Sequence, residues 1–170
     1  MRSRRKKRPL TPGRLERRTL HYLERYSAPT PHVRRLMHRW MREAEDCRVT
    51  PEHVDALLDR LVRAGLLDDE RYTRARVAAL QRKGNSMRLI RAKLAEKGLR
   101  GPLVDEALDA LGRDSELEAA VSYARKRRLG RWGDKGDDRD RWRKDLARLA
   151  RRGFSFDVAD RALRGPDAAQ

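Results

Sequence analysis

Five cations fall within seven positions, Arg125, Lys126, Arg127, Arg128 and Arg131, and Trp132 follows them directly. Side chains of this type at this density suit ionic contact with phosphates, which gives affinity through counterion release without reading a base sequence. A helix C-terminus alone favours cations, but each contributes only about 0.3–1 kcal/mol and one or two suffice, so five point to an anionic partner. A second basic run, Arg141, Arg143, Lys144, Arg148, Arg151 and Arg152, is interleaved with Asp138, Asp140 and Asp145, and an intrahelical Asp145–Arg148 pair is expected to absorb part of it. A third band comprises Arg82, Lys83, Arg88, Arg91, Lys93 and Lys97. The first cluster, the third band and Arg148, Arg151 and Arg152 of the second run are expected to form one continuous basic stripe. Trp132, set among glycines, is the candidate aromatic contact to a partner, whereas Trp40 and Trp142 share apolar stripes and are expected in the core. The block Arg2, Arg4, Arg5, Lys6, Lys7, Arg8 is almost pure charge and reads as a disordered arm that adds salt-sensitive, non-specific affinity for DNA.

Other chemistry lacks equipment. His21, His32, His38, His53 and Cys47 do not follow a zinc-ligand spacing, so no metal is expected. There is no Gly-x-x-x-x-Gly-Lys phosphate loop and no serine or cysteine in a nucleophile motif, so neither an enzyme nor a cofactor is expected. The whole chain is basic: 43 Lys and Arg against 26 Asp and Glu give a net charge of +17 over 170 residues. Nucleic acid, single- or double-stranded, is the expected polyanion, bound non-specifically. A membrane is not: no segment approaches the roughly 18 consecutive apolar residues of a spanning helix. Cys47 is the only cysteine, which excludes an intrachain disulfide and favours the cytoplasm. The basic Met1–Arg8 runs into Pro9, Leu10 and Thr11 rather than the apolar stretch of a signal peptide.

The elements that must position these residues are legible from helix punctuation. Thr11-Pro12, Thr30-Pro31 and Thr50-Pro51 each place a capping hydroxyl before a proline at the first helical position. Gly101-Pro102 repeats the device, and Asp68, Asp114 and Ser155 are further N-caps, with Ser115 and Glu118 as an alternative capping box. Gly65, Gly84, Gly98, Gly112 and Gly153 are the stops. Between them the apolar residues keep helical spacing, as in Val33, Leu36, Met37, Trp40, Met41, Ala44 and in Val54, Leu57, Leu58, Leu61, Val62. No stretch alternates with period two. Nine helices are predicted, at 13–26, 31–45, 51–64, 69–83, 86–97, 102–111, 115–129, 139–152 and 156–164.

The predicted helices fall into similar groups of three. Aligning Gly98 with Gly153 places Leu94 on Leu149, Leu99 on Phe154, Val104 on Ala159, Ala107 on Ala162 and Leu108 on Leu163. Val54, Leu57, Leu58 and Leu61 fall on Val104, Ala107, Leu108 and Leu111. In the helices before these, Tyr72, Ala75 and Ala79 are matched to Leu117, Ala120 and Ala124. The expected fold is all-α: three tandem three-helix repeats in an elongated, curved array. Residues 11–67, 68–112 and 113–165 are the repeats, between a disordered basic arm at 1–10 and a disordered tail at 166–170.

Three strings carry a resemblance. Gly65-Leu66-Leu67-Asp68-Asp69-Glu70-Arg71-Tyr72, then Arg91-Ala92-Lys93-Leu94-Ala95-Glu96-Lys97-Gly98, then Ala150-Arg151-Arg152-Gly153-Phe154-Ser155-Phe156 resemble the RecX family of bacterial recombination regulators, over roughly Leu15 to Leu163. A helix ending in a basic residue and glycine, followed by a short helix with Val-x-x-Ala-Leu (Val104, Ala107, Leu108), is that family's module. The first module departs, having Glu43–Val49 without glycine where the second has Lys97-Gly98. The resemblance implies a regulator, without catalytic residues, that binds RecA and the RecA–DNA filament along its groove. It also implies modulation, mostly inhibition, of recombinase, ATPase and coprotease activity in DNA repair and the SOS response. A monomer is expected. The rival reading is a histone-like protein that binds bare DNA non-specifically; a nuclease would need clustered metal-binding carboxylates.

Overall fold

The computed structural model describes residues 8–112, 114–133 and 139–165. The block Arg2–Lys7, the tail 166–170, Arg113 and Asp138 lie outside the described residues. Of the expected disordered arm at 1–10, Leu10 is instead ordered, its N–H donating to the Asp46 carbonyl and its carbonyl accepting from the Arg48 N–H, with its side chain in the first core. Among the described residues there are nine α-helices and no strand: α1 Pro12–Arg25, α2 Thr30–Glu43, α3 Pro51–Arg63, α4 Asp69–Arg82, α5 Met87–Glu96, α6 Pro102–Asp109, α7 Ser115–Arg127, α8 Arg139–Arg151 and α9 Phe156–Arg164. None is long and apolar enough to cross a membrane. The all-α helical-repeat expectation holds, with helix ends within about two residues of the predicted ones. The sequence reading missed the 3-10 turn Gly130–Trp132 and an isolated parallel bridge between Leu10 and Cys47.

The stops behave as read: Gly65, Gly84, Gly98, Gly112 and Gly153 all have positive φ. Three helices stop without glycine: α1 and α2 end at Tyr26 and Ala44 in extended backbone, and α7 ends on Arg128 in the left-handed region (φ 52°, ψ 50°). The caps need correction. Thr11 makes no side-chain cap hydrogen bond, and neither does Asp114. Thr30 is already helical, Pro29 being the N-cap, and its N–H donates to Asp69 Oδ1 at 2.7 Å. Asp68 and Ser155 do cap, accepting from the Arg71 and Val158 N–H groups at 2.8 and 3.3 Å. Ser86, not predicted as a cap, accepts from the Leu89 N–H at 3.1 Å.

The chain divides into two compact units, Met1–Tyr72 and Thr73–Gln170, with the boundary inside α4. In the first, Leu15, Val33, Met37, Leu58 and Trp40 are among the buried residues that join α1, α2 and α3. Val62, expected on the buried face of α3, is 47% exposed. It follows Leu61 by about 100° of helix, which rotates it past the edge of the stripe. Arg18 lies 4.2 Å over the Trp40 ring. Tyr22 and His32 Nε2 are hydrogen-bonded at 3.2 Å, and burial raises the Tyr22 phenol pKa above its usual 10.0.

In the second unit the core around α7, α8 and α9 is built from Ala119, Ala120, Ala124, Ala159 and Ala162 with Leu129, Leu149, Phe154 and Leu163. The register relating α5–α6 to α8–α9 is visible in burial: Leu94 and Leu149, Leu99 and Phe154, Val104 and Ala159, Ala107 and Ala162, Leu108 and Leu163 are all buried. The match of α4 to α7 is not, because Ala75 is exposed where Ala120 is fully buried. In α4 the inward residues are Thr73, Val77 and Leu80, so that alignment is out of phase.

The turns of these two layers interlock. A Cβ on Gly84 (φ +69°) would lie 2.6 Å from Tyr123 Cβ, so only glycine both adopts the turn and lets α7 approach. The Ser86 N–H donates to the Arg152 carbonyl at 3.1 Å, and the Met87 N–H donates to Glu116 Oε2 at 2.9 Å. The α4–α5 turn is therefore tied to α7 and to the α8–α9 turn.

Candidate nucleic-acid interface

The basic cluster is organised by how α7 ends. Once Arg128 turns left-handed, the Leu129 N–H donates to the Ala124 carbonyl at 2.9 Å and Leu129 folds into the core. The 3-10 turn that follows is held at both ends. Its first N–H, on Gly130, donates to Asp145 Oδ2 of α8 at 2.9 Å, and the Trp132 indole Nε1–H donates to the Ala162 carbonyl of α9 at 3.1 Å. Trp132 is thus half-buried and anchored, not a free aromatic on a loop.

Two guanidiniums rest on that indole, Arg125 at 4.2 Å and Arg131 at 5.2 Å from the ring centroid. Arg131 also donates to the Arg164 carbonyl at 3.1 Å. Stacking on a ring face leaves the N–H groups in the guanidinium plane available to an anion while restricting the rotamers. Arg141 approaches the Arg128 carbonyl at 3.4 Å, so Arg125, Arg128, Arg131 and Trp132 gather at one loop with Arg141 and Arg164. Lys126 and Arg127 lie on other faces of the last turn of α7, since successive residues are separated by about 100°. Both are exposed, and neither has a carboxylate partner among the described residues.

Asp145 is the hub. It is 2% exposed, and besides Gly130 it meets Arg148 at 3.2 Å and Arg141 at 3.9 Å. The sequence pairing of Asp145 with Arg148 is present, but the burial and the loop anchor were missed. The signal was available, because Asp145 continues the stripe of Trp142, Leu146 and Leu149. Lys144, Arg148 and Arg151, at i, i+4 and i+7, share one flank of α8. Arg152 is turned inward: it donates to Asn85 Oδ1 at 2.9 Å and lies 4.7 Å over the Tyr123 ring. Trp142 is packed against the core with Arg164 5.2 Å above its ring.

The middle band splits. Arg82 and Lys83, both exposed, immediately precede Gly84 and thus stand at the turn tied to Tyr123 and Arg152. Arg88 and Arg91 lie on the outer face of α5, Arg91 paired with Asp105. Lys93 and Lys97 are half-buried and on the opposite flank from Arg91, about 160° around the helix for Lys93. The structure therefore gathers the α7–α8 loop cations, with Arg82 and Lys83 near the joint, and does not place the α5 cations in one line with each other.

Comparison with known proteins adds the ancestry. The family model described as RecX, second three-helix domain, matches residues 68–108. A regulatory protein RecX of Myxococcus xanthus is 37% identical over 163 residues, covering 92% of this chain and 87% of the relative. The chain belongs to the RecX family. Another RecX relative, from Streptomyces coelicolor, is 33% identical over 138 residues, 79% of this chain and 70% of the relative. The crystal structure of RecX from Lactobacillus salivarius has the same fold, with a TM-score of 0.70 at 18% identity, covering 90% of this chain and 94% of that one. RecX relatives are named regulatory proteins, so the role that descends with the family is regulatory.

Proposed function

We propose that this RecX protein binds RecA and the RecA filament on DNA, and mostly inhibits recombinase, ATPase and coprotease activity in DNA repair and the SOS response. It does so without catalysis, as a cytoplasmic monomer of three three-helix repeats, 11–67, 68–112 and 113–165. The supporting observation is the α7–α8 loop. Arg125 and Arg131 are held on Trp132 and the loop is pinned by Asp145, beside Lys126 and Arg127, which have no carboxylate partner among the described residues. A surface of fixed and unpaired cations suits the acidic protein and phosphate surfaces of a nucleoprotein filament. In this reading Trp132 acts by orienting guanidiniums and not by stacking on a base. Arg148 and Arg151 extend the contact along α8, Arg82 and Lys83 extend it at the joint, and Arg152 serves the joint itself.

The test reverses Arg125, Lys126, Arg127 and Arg128 to glutamate. Inhibition of RecA-driven strand exchange is expected to be abolished while far-ultraviolet circular dichroism is unchanged; normal inhibition would remove the loop from the contact. Titration against RecA-coated and naked single strands at matched salt separates filament recognition from histone-like coating of bare DNA. Filament recognition retains affinity at salt where naked-strand binding has faded.

A further inference from the structure

The outer face of α5 carries a second stripe that the core does not use. Ile90 and Leu94 point inward, and Arg88, Arg91, Ala92 and Ala95 recur at i, i+3, i+4 and i+7 on the other side. With the segment running from Leu99 to Val104 this face forms a groove of about 400 Å³. Its floor is aliphatic, made by Ala92, Ala95, Leu99 and Val104, and Arg88, Arg91 and Arg100 stand around it. Alanine at the exposed position 92 leaves a trough that a larger side chain would fill. Arg91 is held by Asp105, whereas Arg88 and Arg100 have no carboxylate partner among the described residues.

We propose that this groove is a docking site for an acidic peptide segment of a partner protein, one that inserts a single aliphatic side chain between flanking carboxylates. The volume lies within the roughly 300–1,000 Å³ of ligand clefts. The guanidinium forks of Arg88 and Arg100 match carboxylates in bidentate geometry, and the arginine stems extend the apolar walls. A nucleic-acid strand fits less well. Among the described residues no aromatic side chain lines the groove for a base to stack on, whereas its aliphatic floor suits a peptide's apolar side chain. The inference goes beyond the function proposed above, since neither nucleic acid nor recombinase enters it and it does not use the α7–α8 loop.

The experiment uses the full chain and a fluorescein-labelled peptide of Asp and Glu with one central leucine, read by anisotropy at physiological salt. Saturable binding is expected, weakened about tenfold when the leucine is replaced by serine, a loss comparable to one buried aliphatic side chain. Ala92→Trp, which fills the trough, and the Arg88→Gln, Arg100→Gln double variant are each expected to weaken binding by a similar factor with helicity unchanged. The double variant decides should Ala92→Trp fail to fold. The α7 charge-reversal variant is expected to keep the leucine dependence, so failure here and failure of the filament reading are distinguishable. Equal affinity for the serine peptide, parental binding by the double variant, or displacement of the peptide by a single-stranded oligonucleotide of equal charge would overturn the proposal.

Discussion

The core of the first unit and the core around α7, α8 and α9 solve one problem with different materials. Around α1, α2 and α3 the buried set consists largely of large side chains, Leu15, Leu36, Met37, Trp40, Leu57, Leu58 and Leu61 among them. Around α7, α8 and α9 five of the nine buried residues are alanines. Small side chains bring helices close, so the second core gains less per residue from burial and depends more on close contact and on polar pins. Those pins are Asp145 under the Gly130 turn and Arg152 on Asn85. Arginines also cover its aromatic rings, with Arg125 and Arg131 on Trp132, Arg152 on Tyr123 and Arg164 on Trp142. The lesson concerns how to count cations. In the second unit several arginines are part of the packing, so a dense basic sequence overstates the charge left free for a partner.

The comparison can be tested first where the effect is largest. Leu58 is 1% exposed in the first core, and Leu58→Ala is expected to destabilise by about 2–5 kcal/mol in urea denaturation, through lost transfer energy and the cavity left behind. A loss under about 1 kcal/mol would mean that the large side chains do not carry that core. The opposite change probes the second core. Ala124 is fully buried, and Ala124→Leu is expected to cost about 1–3 kcal/mol by overpacking. A neutral or stabilising result would show spare volume beside α7, and the distinction between the two cores would collapse.

The helices were legible because their signals are local. Proline at first helical positions, left-handed glycines at the ends and apolar residues at helical spacing each act within one turn, and the equivalence of Leu94, Leu99 and Val104 with Leu149, Phe154 and Ala159 was readable for the same reason. What escaped depends on contacts between helices. Ala75 and Ala120 look alike in sequence, but only Ala120 has a helix packed over it, and no local signal separates them. Trp132 looked like a loop aromatic because its anchor, the Ala162 carbonyl, lies 30 residues away in sequence. The band from Arg82 to Lys97 looked continuous because its cations are close in the chain, whereas α5 turns Lys93 away from Arg91. Only Asp145 advertised itself, as a carboxylate on an apolar stripe.

That carboxylate gives the smallest and most local of the expected effects. Asp145→Ala removes the acceptor for the Gly130 N–H and the partner of Arg148 and Arg141. Arg148 is 52% exposed, so its ion pair is screened and contributes little. Gly130 is only half-buried, so water can replace the lost acceptor, and the net destabilisation is expected to be about 1 kcal/mol. The effect should be confined to the loop. Hydrogen exchange of the Gly130 amide is expected to quicken while the Leu149 and Ala124 amides, in the helices of the alanine core, keep their protection. If the Gly130 amide exchanges as before, Asp145 does not pin the turn. Uniformly faster exchange across α7 to α9 would instead make Asp145 a determinant of the whole alanine core, and the cations it gathers would then belong to folding more than to binding.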